Sequence, residues 1–133
     1  MKKTFKWIAL SVILAMALLA LASCATPNAS PEKAAEALEK AGYEAEVLDS
    51  GILYNTYKAL GGKLEAVVSG SKGLLSGEGI IILYYETATD AKDAFEAVEQ
   101  LATQQADEES DFEIKQSGKM IWFGHKDAVK AAA

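Results

Sequence analysis

The chain has 133 residues, with 19 acidic side chains against 13 lysines, no arginine, and a formal net charge of −6. That balance excludes the usual nucleic-acid binders, whose affinity comes from clustered basic groups and whose base contacts lean on the arginine fork. A single cysteine excludes a disulfide within the chain, and the length suits one small domain with one continuous core.

The first six residues carry Lys2, Lys3 and Lys6. Trp7 to Ala22 then gives sixteen residues in which Ser11 is the only polar side chain. A spanning helix needs about 20 apolar residues, so the run is short for a retained anchor and has the length of a secretion signal's apolar region. Small residues crowd its end. Leu21-Ala22-Ser23-Cys24 resembles the lipobox of bacterial lipoproteins. The resemblance implies that residues 1–23 are a signal peptide removed on export. It also implies that Cys24 carries a diacylglyceryl group on its sulfur, with a further acyl chain such as palmitate on its amino group. Several acyl chains hold firmly where a single one gives marginal, reversible attachment. The implied address is extracytoplasmic, on the cell membrane. In a cell with two membranes the alanine at residue 25 favours the outer one. An uncleaved anchor, ordinary secretory cleavage and a buried apolar helix of a cytosolic protein are the other readings of this leader; the second leaves Cys24 as a bare thiol, and the third fits poorly with a run that is apolar on all sides.

Loss of residues 1–23 removes three lysines and no acid, so ten lysines face nineteen acidic groups and the mature chain carries −9. Anionic head groups would repel such a domain. Residues 24–30 read as the lipidated cysteine and a short turn-prone linker, reaching roughly 20 Å at most. Residues 31–133 read as a single α+β domain.

Ser30, Pro31 and Glu32 open a first helix, which stops at Gly42. Tyr43 to Asp49 alternates as a strand. The spacing of Leu53, Tyr57 and Leu60 favours a short helix within residues 52–60, although the segment is ambiguous. Lys63 to Gly70 predicts a second strand with Leu64, Ala66 and Val68 inward, followed by a glycine-rich turn from Ser71 to Glu78. Ile80 to Tyr85 is apolar on both faces and predicts a central strand covered twice. Thr87 and Asp90 form a capping pair for a long helix marked by Ala91, Ala94, Phe95, Val98, Leu101 and Ala102. Asp107 to Asp111 reads as a solvated acidic loop. Phe112–Gln116 and Lys119–Phe123 predict a hairpin through Ser117-Gly118, and a last helix starts near His125. The order predicts an antiparallel-rich sheet of about five strands with helices packed on it. Helix-then-strands recurs in residues 31–70 and 88–123, which hints at an internal duplication. The mature part resembles small extracytoplasmic α+β proteins, a likeness that brings no activity with it.

Catalytic signals are weak. His125 is the only histidine, and no ligand partner sits at metal-binding spacing. The stretch Gly70 to Gly79 lacks the Gly-Lys-Ser/Thr ending of a phosphate loop. Asp107, Glu108, Glu109, Asp111 and Glu113 match no calcium loop. Nothing in the sequence implies a cofactor. The strongest remaining lead is aromatic: Tyr84, Tyr85, Trp122 and Phe123 would form an interaction surface or homodimer face wherever the helices fail to cover the sheet. The alternative is that residues 52–60 cover it. The expected activity is binding of a protein or small-molecule partner at the cell envelope, with membrane contact through the lipid anchor and no nucleic-acid partner. A carboxylate-based hydrolase with an aromatic-lined cleft is the alternative.

Overall fold

The computed structural model describes residues 25–73, 78–105 and 112–133. The leader with Cys24, the middle of the glycine-rich loop and the acidic segment Asp107–Asp111 lie outside these residues. In chain order the elements are α1 (Pro31–Lys40), β1 (Glu44–Leu48), α2 (Ile52–Lys58), β2 (Leu64–Ser71), β3 (Gly79–Tyr85), α3 (Ala88–Gln105), β4 (Phe112–Ser117), β5 (Met120–His125) and α4 (Lys126–Ala131). The strands form one antiparallel sheet in the order β1-β2-β3-β5-β4. The fold is therefore α+β with a five-stranded antiparallel sheet and four described helices.

The apolar run Ile80–Tyr85 sits at the centre, as its two apolar faces require. Register makes the reason visible. On one face Val68, Ile82 and Trp122 line up across β2, β3 and β5, and on the other Val67, Leu83 and Ile121 do so one residue along. All six are almost wholly inaccessible. α1 and α4 cover the Trp122 face with Ala34, Ala35, Leu38, Ala128 and Val129. α2 and α3 cover the Ile121 face with Tyr54, Tyr57, Ala91, Ala94 and Val98. The small alanines let the helices approach closely, and burying each larger aliphatic side chain stabilises the fold by about 1.5–3 kcal/mol.

Local chemistry fixes the helix ends. The Ser30 hydroxyl accepts from the Lys33 backbone N–H at 3.4 Å and caps α1, with Pro31 behind it. The Thr87 hydroxyl accepts from the Asp90 N–H at 3.1 Å and donates to the Asp90 carboxylate at 2.7 Å, a reciprocal capping pair for α3. β2 departs from simple alternation. An irregularity between Leu64 and Ala66 sends Leu64 to the α2/α3 side, while Ala66 and Val68 face α1. Both faces are inward, so the expected single inward set becomes two.

The two helix-then-strands segments have related places. α1 packs on β1 and β2, and α3 packs on β4 and β5 from the opposite face. β2 and β5 both flank β3 antiparallel. The likeness is partial, since α2 separates β1 from β2 while β5 follows β4 directly.

Gly124 shows how tightly β5 meets β3. A Cβ there would lie 2.7 Å from the Ile80 Cα and still closer to the Gly79 carbonyl oxygen. Neither obstacle is a flexible side chain. Gly124→Ala is expected to cost about 2–3 kcal/mol or more in urea denaturation. A loss below about 1 kcal/mol would mean the β3–β5 pairing yields locally.

Candidate functional site

The four aromatics expected to form an interaction surface do not reach the surface. Tyr84, Tyr85, Trp122 and Phe123 are only 4%, 1%, 2% and 3% exposed. Tyr84 and Trp122 lie under α1 and α4, and Tyr85 and Phe123 lie under α2 and α3. The cover on the second face comes from the ambiguous segment, which is helical over Ile52–Lys58 and buries Tyr54 and Tyr57. The Tyr57 ring meets Phe123 with centroids 5.7 Å apart, and the Tyr54 hydroxyl donates to the Leu64 carbonyl at 2.7 Å. These residues are core, so the homodimer face expected from them is absent among the described residues.

β1 and β2 leave one corner open on the α2/α3 side. Glu44 pairs with Ser71 and Glu46 with Ser69, so two carboxylates and two hydroxyls share a face. With Ala45 they line a shallow depression of about 280 Å³. Small-molecule sites are usually roughly 300–1,000 Å³ and mostly apolar, and this one is smaller, open and polar. It also lacks the aromatic lining that the hydrolase reading requires. Glu44 and Glu46 are exposed.

His125 precedes α4 as its N-cap, and its side chain makes no capping hydrogen bond. It pairs with Phe112 at the sheet margin. Glu113 instead holds the Lys115 ammonium at 3.4 Å. Among the described residues no three His, Cys, Asp or Glu side chains gather as a metal-holding group, and no helix is long and apolar enough to cross a membrane. Cys24 and the acidic segment lie outside those residues.

The most specific polar construction lies at residues 25–30, which composition marks as a linker. They are docked. Ala25 packs against the core beneath α1 and α4, and Pro27 is buried. The Asn28 backbone is held at both ends: its N–H donates to the Ala132 carbonyl at 2.8 Å, and its carbonyl accepts from the Tyr84 hydroxyl at 2.7 Å. Its side-chain oxygen accepts from the Ser30 N–H at 2.9 Å. One strap thus ties the segment after Cys24 to the central strand and the last helix. Composition missed it because Asn28's partners stand far away in sequence. The one available signal was Tyr84, whose hydroxyl needs a partner once buried. Burial, with the Glu32 charge second, raises the Tyr84 hydroxyl well above its ordinary pKa.

Comparison with protein families, with curated proteins and with solved structures finds no match.

Two outcomes follow from these tyrosines. Tyr84→Phe leaves the Asn28 carbonyl short of a partner and should cost about 1–2 kcal/mol at an unchanged denaturant slope; a neutral effect would show that the strap is not held there. Burial also pushes Tyr57 and Tyr85 up to about 12, whereas an unfolded tyrosine ionises near about 10. The unfolded chain therefore releases these protons first. Stability from them is full below about pH 10 and falls as pH rises through about 12. Spectrophotometric titration should show tyrosines ionising late, and uniform ionisation near pH 10 in the folded protein would contradict the burial.

Proposed function

We propose that the protein is a lipid-anchored extracytoplasmic domain that works by binding a protein or small-molecule partner. The leader carries this reading: a cationic start, a short apolar run and Leu21-Ala22-Ser23-Cys24 in that order. The docked strap supports it, since packed structure extends to Ala25, the residue immediately after the cysteine. Binding is favoured over catalysis by the placement of the polar groups. Glu44 and Glu46 are solvated on an open sheet corner, and His125 lies at the other side of the sheet beside Phe112. Carboxylate catalysis needs two groups held in different environments around one substrate, and the exposed Glu44–Glu46 pair offers two similar ones.

The anchor has a direct test in the full-length chain expressed in a bacterium. Cys24→Ser should abolish incorporation of labelled fatty acid and leave the leader uncleaved by the lipoprotein peptidase. Normal acylation of that variant would refute the assignment.

A further inference from the structure

We propose that the strap sets the attitude of the domain on the bilayer. The end of the sheet at Tyr84, with the start of α1 and the Ser117–Lys119 turn, lies against the lipid head groups, and the Tyr43 end points away. The proposal rests on lipid attachment at Cys24 and goes beyond it, because an anchor alone fixes no orientation.

Free, residues 25–30 would let the domain wander up to roughly 20 Å from its anchor. Docked, they remove that freedom. Asn28 is pinned at both backbone groups and Ala25 is packed on the core. The Cα of Cys24 is one peptide bond, about 3.8 Å, from that of Ala25. Acyl chains on Cys24 would thus enter the bilayer directly beneath packed structure.

The strap meets one particular end of the fold. Tyr84 pairs with Ala66 and Met120, beside the β4–β5 turn. From the strap, α1 runs about 15 Å over its ten residues to place Leu38 against Gly70, which pairs with Ala45 and Ile80 at the opposite end. The Tyr43 end therefore stands farthest from the anchor.

The Tyr84 end itself carries Glu86 and the Asp90 start of α3, and the difference in charge between the two faces adds a lean toward the strap's side. α1 and α4, on the strap's side, balance four lysines with four carboxylates. α2 and α3 carry Lys58 and Lys92 against Asp90, Asp93, Glu96 and Glu99, and the same face adds Glu44 and Glu46. Anionic head groups repel the second surface and tolerate the first. The bilayer is thus the occupant of the Tyr84 end, where the anchor leaves the fold, with the domain leaning onto its strap side, and the acidic surface is left to solvent and partners.

The test uses the full acylated chain in vesicles of zwitterionic lipid with a minor anionic fraction. Acylation occupies the native thiol, so a fluorophore can be attached to one introduced cysteine at a time: Lys33→Cys and Lys119→Cys near the strap, Lys40→Cys and Glu44→Cys at the far end. Spin-labelled head groups should quench the near pair at least threefold more than the far pair. Tyr84→Phe, in protein that keeps its native circular dichroism, should narrow that contrast; if this variant does not fold, the near-to-far contrast in the unaltered strap decides alone. Equal quenching at all four sites, in protein whose mass shows the acyl chains, would overturn the orientation and leave the anchor standing. Absence of acyl mass would overturn both.

Discussion

Strand β3 has no polar face, and the architecture follows from covering it. Ile82 and Tyr84 point one way and Leu83 and Tyr85 the other, so water must be excluded from both sides of one strand. A two-layer α+β sheet could leave one side wet; this sheet cannot. Its neighbours β2 and β5 share the constraint, and each face recruits one longer helix and one short one. The short helices are marginal alone. Their order comes from the aromatic and aliphatic surface they bury, with Tyr54 and Tyr57 on one side and Ala128 and Val129 on the other.

That constraint also explains which features were legible in the sequence. Ile80–Tyr85 announces a central strand by having no polar alternation, and Thr87 with Asp90 announces α3 by local capping chemistry. The short helix at Ile52–Lys58 is indicated only by the spacing of a few apolar residues. Coverage is a different property from apolarity, so the place of Tyr84 and Trp122 waits on the packing of α1 and α4, and that of Tyr85 and Phe123 on α3 and the seven-residue α2. The local irregularity after Leu64 is illegible for a related reason: Leu64, Ala66, Val67 and Val68 are each apolar enough for either face. The strap is the deepest omission. Ala-Thr-Pro-Asn-Ala-Ser has the composition of a tether, and the bonds that make it structural run to Tyr84 and Ala132.

Buried hydroxyls divide the tyrosines by role. Tyr54 and Tyr84 each reach a backbone carbonyl and so fasten a peripheral segment to the sheet, the first at Leu64 and the second at Asn28. The Tyr85 hydroxyl and the Trp122 indole N–H find no protein partner in the interior. Such orphaned groups cost stability, and they sit on opposite sides of the sheet. At the far end Tyr43 donates to Glu78 at 3.4 Å, and the Lys72 ammonium stands 5.3 Å from its ring. Both ends of the sheet are thus closed by a tyrosine, one on the strap and one on the β2–β3 connection.

The bond between Asn28 and Ala132 also imposes an order on the protein's assembly. It joins the first described segment to the residue that ends the last described helix, so the strap has both its partners only after Ala132 has been made. Synthesis runs from the amino end, and the segment that comes first among the described residues is therefore completed late. Until then the Tyr84 hydroxyl alone can hold the Asn28 backbone. All five strands precede Ala132, so the strap closes over a sheet already able to form.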